Sequence, residues 1–227
     1  MSDKINMPTY EEMLATGMHL GRKKSVFNPG MKQYIYTIKD GFHIVDLVKT
    51  QEALTQTITE IQRIIKEGGQ VLFVGITKQS RDTIKELADE LDMPYVQDRW
   101  VGGTLSNFKT IALRVKYLKD MEEKLKSDKM AKYTKKERLG FEREYQKMEN
   151  KFGGLRKMSK LPELVFVTSA KDSIVAVKEA NKVGIRVAGV ANTNANPKLL
   201  TFPIPASDSS KKSVQLILET IKNSVKK

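Results

Sequence analysis

The chain has no cysteine among its 227 residues, which excludes disulfides, Cys-based zinc sites and iron–sulfur clusters outright. Only two histidines occur, His19 and His43, so at most they join a mixed oxygen/nitrogen metal site. There is one tryptophan, Trp100. No stretch reaches the roughly 18 consecutive apolar residues of a membrane-spanning helix. The opening residues, Met1 to Pro8, lack the apolar core of a signal peptide and the Arg- and Ser-rich, acid-free character of a transit peptide, so a cytosolic location is expected. Acids are also scarce: 27 Asp and Glu face 40 Lys and Arg, a net charge of +13. Such an excess points to nucleic acid or to an anionic membrane. A membrane-surface helix would show a broad apolar face with Trp or Phe. Trp100 lies beside Gly102-Gly103 instead, outside the basic segments, so nucleic acid is the expected partner and no membrane is.

What the chain does have is charge concentrated in one place. Residues 107–160 hold 17 Lys and Arg against 8 acids, a net of +9 out of the +13. Phe108, Ile111, Val115, Leu118 and Leu125 recur at 3-and-4 spacing, with Glu122 in one seam position. Phe141, Tyr145, Met148, Phe152 and Leu155 continue at 4-3-4-3, the spacing of a coiled-coil seam. Thr134-Lys-Lys-Glu137 is a capping box, which starts a second helix there and leaves 127–133 as the tip of a helical hairpin. Arms of ~20 residues project roughly 30 Å. A charge run is ordinarily a solvated face; the surplus of cations over balanced pairs favours an arm that grips phosphates.

Elsewhere strands and helices alternate. Pro8–Gly17 is a short helix, Gly21–Lys32 a polar basic loop, and Tyr34–Ile38 with His43–Leu47 a hairpin turned by Asp40-Gly41. Thr50–Lys66 is helical, with Leu54, Ile58, Ile61 and Ile65 on one face. Val71–Gly75 and Leu164–Thr168 are continuous apolar runs of the kind buried on both faces of a parallel sheet. Lys78–Leu91, Ser173–Asn181 and Lys211–Ser224 read as helices, and Tyr95-Val96, Arg186–Val190 and Phe202–Ile204 as strands. The expected fold is a three-layer α/β domain with a mostly parallel sheet, built from 1–106 and 161–227, with 107–160 inserted as a basic coiled-coil hairpin.

Chemistry-bearing motifs are few. The loop Gly75-Ile-Thr-Lys-Gln-Ser80 follows a parallel strand, where open α/β sheets bind ligands, yet it is neither a dinucleotide fingerprint nor a P-loop. Thr77 reads as a helix N-cap there, and Asp172 as another. Gly102-Gly103-Thr104 offers either a phosphate cradle or a plain tight turn. No nucleophile–base pair and no H-E-x-x-H is present. The loop Gly21–Lys32 is richer: Arg22, Lys23, Lys24 and Lys32 offer phosphate contacts, Phe27 or Tyr34 a stacking surface, and Asn28-Pro29 a turn.

Taken in order, Gly17-Met-His-Leu-Gly21, Asn28-Pro-Gly-Met-Lys32, Gly41–Asp46, Thr77-Lys-Gln79, Met93–Val96, Thr134–Glu137, Thr193-Asn194 and Pro203-Ile-Pro205 resemble bacterial-type small-subunit ribosomal protein S2. The run Arg99-Trp-Val-Gly-Gly-Thr-Leu-Ser-Asn-Phe-Lys-Thr110 is the most specific match. The resemblance implies a flavodoxin-like domain with a protruding antiparallel coiled-coil hairpin. It also implies binding to small-subunit rRNA, contact with neighbouring small-subunit proteins, among them the OB-repeat protein that captures mRNA, and no catalysis. Candidate RNA contacts are Arg22, Lys23, Lys24, Phe27, Asn28 and Lys32; Arg99, Trp100 and Asn107; and Lys109, Arg114, Lys132, Lys135 and Lys136. No metal and no cofactor are expected.

This chain departs from the family pattern in two places. Arg22 and Phe27 stand where His and Trp are usual. The usual Val-Asp-Thr-Asn-Cys-Asp-Pro stretch is here Val190-Ala-Asn-Thr-Asn-Ala-Asn-Pro197, with both carboxylates made neutral, which removes the charge a bound cation would use. Two rival readings remain at this stage. One is a nucleotide- or sugar-phosphate-binding enzyme using Gly75–Lys78 and Gly102–Thr104. The other is an adaptor that offers Phe141, Tyr145 and Met148 to another protein.

Overall fold

A computed structural model describes residues 5–127 and 133–225. The chain enters through α1 (Tyr10–Ala15). Its start is a reciprocal box, in which the Glu12 N–H donates to the Thr9 hydroxyl and the Glu12 carboxylate accepts from the Thr9 N–H. Next come β1 (Leu20–Lys23), a 3-10 turn (Pro29–Tyr34), β2 (Ile35–Lys39) and β3 (Phe42–Val45). Asp40 and Gly41 adopt φ of 50° and 78°, the left-handed pair that a two-residue hairpin turn demands. The polarity of residues 21–32 suggests a loop throughout, but the structure makes their first part a strand. Leu20 and Lys23 of β1 pair with Ile44 and Phe42 of β3. Leu-Gly-Arg-Lys has no apolar alternation because this edge strand is held by its backbone and not by burial of a face.

The larger sheet uses β4 (Val71–Val74), β5 (Tyr95–Val96), β6 (Leu164–Val167), β7 (Arg186–Ala191) and β8 (Phe202–Pro205) in the order β5-β4-β6-β7-β8. Every pairing in it is parallel. Numbered among themselves the strands run 2-1-3-4-5, a doubly wound order. Alternate residues divide between two cores, as a period of two requires. Val71, Phe73, Leu164, Phe166, Ala188 and Val190 face one side, against Leu54, Ile58, Ile61 and Ile64 of α2 (Leu47–Lys66). That side is completed by Ile84 and Leu87 of α3 (Arg81–Glu90) and by Val214, Ile217 and Ile221 of α7 (Lys211–Val225). Leu72, Val74, Val165, Val167 and Val187 face the other side, against Ala176, Val177 and Ala180 of α6 (Ile174–Val183).

Between β5 and β6 lie α4 (Phe108–Lys126) and α5 (Lys135–Phe152). The capping box at Thr134–Glu137 is formed as its sequence predicts. Ile111, Val115 and Leu118 of α4, with Phe152 and Leu155, are buried in the second core. The root of this basic segment therefore covers the sheet itself.

Two expected caps are corrected. The Thr77 carbonyl accepts from the Ser80 and Arg81 N–H groups and its hydroxyl lies 2.9 Å from that of Ser80, so a turn precedes α3 and Thr77 is not its N-cap. The Asp172 carboxylate accepts from the Ser169 hydroxyl at 3.1 Å, closing a turn ahead of α6, whose N-cap position is Ser173.

Candidate nucleic-acid interface

The segment from Arg99 to Thr110 links β5 to α4, and its geometry is set by a residue far away in sequence. Glu179, on α6, is 9% exposed. One carboxylate oxygen accepts from the Leu105 and Ser106 N–H groups and the Ser106 hydroxyl, each at 2.9 Å. The other accepts from the Trp100 indole N–H at 2.8 Å and the Gly103 N–H at 3.3 Å. Burial alone would push this carboxyl up; hydrogen bonds from Ser106, Trp100 and Leu105 outweigh it and hold it below the usual carboxylate range. The glycine turn is thus an anion cradle, as its sequence allowed, and the anion in it is the protein's own.

The candidate contacts fall into two groups. Lys23, Lys24, Lys32, Arg99, Lys109, Arg114, Lys135 and Lys136 are exposed. Five others are engaged by contacts within the chain, Asn107 among them while still exposed. Trp100 is buried, at 7% exposure, because its N–H is spent on Glu179. Phe27 is half-buried with its ring 4.8 Å from that of His43, so it packs inward and is not presented for stacking. The Asn28 side chain accepts from the Gly30 N–H at 2.9 Å, capping the 3-10 turn. The Asn107 side chain accepts from the Thr110 hydroxyl at 2.8 Å. Lys132 lies outside the described residues.

Arg22, the fifth, is anchored by a carboxylate. Its guanidinium donates to Asp208 at 2.9 Å, and the Asp208 side chain is only 2% exposed. Asp208 also accepts from the Asn192 amide at 2.7 Å and the Ser169 hydroxyl at 2.8 Å. The Arg22 N–H donates to the Thr193 hydroxyl at 2.9 Å. Arg22 is therefore a bolt joining β1 to the carboxyl end of the large sheet. The neutral loop 191–197 is equally engaged, since Asn196 caps a second 3-10 turn by accepting from the Lys198 N–H at 3.1 Å. Among the described residues no group of three His, Asp or Glu is placed to hold a metal ion, and no helix is long and apolar enough to cross a membrane.

On α4 and α5, Lys109, Arg114, Lys135 and Lys136 form no ion pair among the described residues, so their charge faces solvent. One seam position is polar by design. The Arg156 guanidinium donates to Glu122 of α4, to Glu149 of α5, and to the Tyr145 hydroxyl at 3.2 Å. Lys126 and Arg156 hold the Glu122 carboxyl down at about 2. Phe141, Tyr145 and Met148 are half-buried, and Tyr145 and Met148 pack on the second core.

Sequence reasoning overlooked Glu179 and Asp208. Each is a lone carboxylate in an unremarkable stretch, and its partners, the adjacent Ser209 apart, stand 73 to 79 and 16 to 186 positions away. The only local hint was a glycine turn with more N–H donors than its own carbonyls could satisfy.

Comparison with known proteins fits this geometry. A family model described as Ribosomal protein S2 matches residues 13–227. Small ribosomal subunit protein uS2 of Fusobacterium nucleatum is 38% identical over 223 residues, covering 97% of this chain and 90% of that protein. The protein of the same name from a Nitratiruptor species is 39% identical over 219 residues, or 96% and 82% of the two chains. That of Thermus thermophilus is 38% identical over 210 residues, or 92% and 82%. With a family match running from α1 to the end of the chain, this protein belongs to the ribosomal protein S2 family.

Proposed function

We propose that this chain is a non-catalytic structural protein of the small ribosomal subunit, working in the cytoplasm and binding small-subunit rRNA. In this reading α4 and α5 form an antiparallel coiled-coil hairpin that protrudes from a flavodoxin-like body. Lys109, Arg114, Lys135 and Lys136 on the hairpin, with Lys23, Lys24, Lys32 and Arg99 on the body, contact phosphates.

One observation carries the proposal: the cations are exposed while the cradles that an enzyme would use are filled from within. Glu179 occupies the amides of the Gly103–Ser106 turn. At Gly75 a Cβ would come 2.8 Å from the Ile84 side chain and 3.0 Å from the Ser80 hydroxyl, so the backbone at the mouth of β4 is packed closely against the start of α3. Exposed positive charge beside an already occupied glycine cradle suits a polyanion better than a metabolite.

Neighbouring small-subunit proteins, the OB-repeat mRNA-capturing protein among them, complete the expected environment. A cleft of about 850 Å³ between α1, β1 and the start of α7 supports this, because exposed Leu14, Leu20, Val26 and Phe42 line it. Clustered exposed apolar side chains of this kind favour protein over RNA.

The test is titration of the chain with small-subunit rRNA over a range of salt. With about five of these eight cations on a phosphate at any one time, the log–log slope is expected to be roughly −4. The charge reversals Lys135→Glu with Lys136→Glu, and separately Lys23→Glu with Lys24→Glu, should shallow that slope and weaken subunit incorporation while leaving the thermal midpoint unchanged. Full incorporation of both double variants would refute the contact assignment.

A further inference from the structure

Two short turns in this chain are built alike, although they lie far apart in sequence. Asn28-Pro29 opens the 3-10 turn Pro29–Tyr34, and Asn196-Pro197 opens the 3-10 turn Pro197–Leu199. In each the Asn side chain accepts from the N–H two residues on, and Pro fixes the first position. The turns abut: a Cβ on Gly30 would lie 3.2 Å from Pro197 Cδ. Between them opens a cleft of about 790 Å³ whose lining includes Lys32, Lys198, Tyr34 and the rings of Pro29 and Pro197, and no carboxylate. Glu52 belongs to the adjoining groove, beyond Gln33 and Tyr34. Lys32 and Lys198 are exposed and form no ion pair among the described residues. Tyr34 is half-buried and its carbonyl accepts from the Asp46 N–H at 2.9 Å, which fixes the wall it forms.

We infer that this cleft seats an unpaired nucleotide of an RNA strand, with flanking phosphates on Lys32 and Lys198 and the base or ribose against Tyr34 and the exposed ring of Pro29, behind which Pro197 is buried. The inference rests on the rRNA-binding reading and deepens it. Two lysines with no acid beside them attract a backbone that is charged on both sides of one residue. A rigid wall of aromatic and proline rings gains contact only with a base face, and a duplex keeps its base faces stacked. Because both turns are locked by proline and an Asn cap, the cleft is preformed and its ordering is not charged against binding. Lys198 and Tyr34 are thereby placed beside Lys32 in one site.

The experiment is binding of the full chain to small-subunit rRNA across a salt series, with single-stranded and duplex RNA as competitors. Lys198→Ala is expected to reduce the magnitude of the salt slope by about 0.7, as for one single-strand phosphate contact. Tyr34→Leu is expected to weaken binding by roughly 5- to 100-fold, the usual range for loss of one stacked base. Single-stranded competitor should displace the rRNA from the cleft better than duplex, and ultraviolet crosslinking should trap Tyr34. Tyr34 also packs towards the core, so its variant is checked by thermal midpoint, whereas Lys198 is exposed and reports independently of folding. Unchanged slope and affinity in Lys198→Ala, or equal competition by duplex, overturns the inference. If Lys135→Glu with Lys136→Glu still weakens binding in that case, the rRNA-binding reading stands alone. If the unaltered chain ignores rRNA, both fall.

Discussion

Trp100 and Glu179 are 79 positions apart and are joined by an indole N–H donated to a buried carboxylate at 2.8 Å. The same carboxylate gathers three backbone amides of the turn that launches α4. It fixes where the basic helices leave the body, so a residue that touches no RNA in the proposed complex sets the geometry of those that do.

Removing that anion should be costly. In Glu179→Gln the amide brings two donors of its own to a site that already holds five. The expected loss is about 2–4 kcal/mol, from charge-assisted hydrogen bonds replaced by unsatisfied ones. Urea unfolding measures it, and a loss below about 1 kcal/mol would show that the cradle reorganises without its anion.

The same residue predicts a dependence on pH. Its carboxyl is held below the ordinary value of 4.5 in the folded chain. A depressed folded value contributes stability that is complete above 4.5 and is lost as pH falls through the folded value. As pH falls below the ordinary value of 4.5 towards the lower folded value, the native chain should therefore lose more stability than Glu179→Gln, and the two curves should draw together. Parallel curves would mean that the hydrogen bonds do not favour the ionised form.

How much of this was legible beforehand depends on range. Val71–Val74 and Leu164–Val167 are unbroken apolar runs because both faces of the sheet are covered, and a run of that kind needs no partner to be recognised. Asp40-Gly41 and Thr134–Glu137 are also local, with the turn or cap closing within three residues. The strand at Leu20–Lys23 was not legible, since its pairing is backbone only and its side chains carry no alternation. Trp100, between Arg99 and a glycine turn in the run that carries the family resemblance, read as a contact. What buries it is a glutamate on α6 that no spacing rule connects to it. Arg22 misled in the same way: a cation in a basic loop gives no sign that Asp208, 186 positions on, waits for it.

That pair separates structural charge from binding charge. Arg22→Met leaves the Asp208 carboxylate facing only Asn192, Ser169 and Ser209. Because Arg22 is itself 40% exposed, water relieves part of the loss, and about 1–2 kcal/mol of destabilisation is expected. The salt slope of RNA binding should hardly change. Lys23→Met should do the reverse, leaving stability alone and shallowing the slope. A large slope change in Arg22→Met with unaltered stability would return Arg22 to the RNA.

Two glycines of the basic segment should answer alanine in opposite ways. At Gly154 a Cβ would sit 2.3 Å from the Tyr95 carbonyl oxygen. Backbone must move to admit it, and a loss of about 2 kcal/mol or more is expected. Gly140 lies inside α5 with nothing within 4 Å of a Cβ. Its replacement by alanine should gain up to about 1 kcal/mol, because glycine is a poor helix former. Thermal midpoints of the two variants decide the matter, and a stabilised Gly154→Ala would show that the 3-10 turn Gly153–Leu155 after α5 does not pack against Tyr95 of β5.

The last prediction concerns what keeps α4 and α5 together beyond their shared root. Ile111, Val115 and Leu118 are buried, but farther along α5 the seam residues Phe141 and Tyr145 are only half-buried. There Arg156 reaches Glu122 on one helix and Glu149 on the other. Burial would lower the Arg156 pKa, yet the hydrogen bonds it donates to the Glu122 and Glu149 carboxylates keep the guanidinium firmly charged. Glu122 stays ionised down to a pH of about 2, so the clip holds across the whole physiological range. Arg156→Gln should leave the sheet as stable as before while amides of α5 exchange roughly tenfold faster with solvent deuterium, the signature of local opening without global unfolding. RNA affinity should fall with it, because the cations at Lys135 and Lys136 would lose their fixed positions. Unchanged exchange along 135–152 would mean that the apolar seam alone holds the two helices, and the clip would then be ornament on a joint already closed.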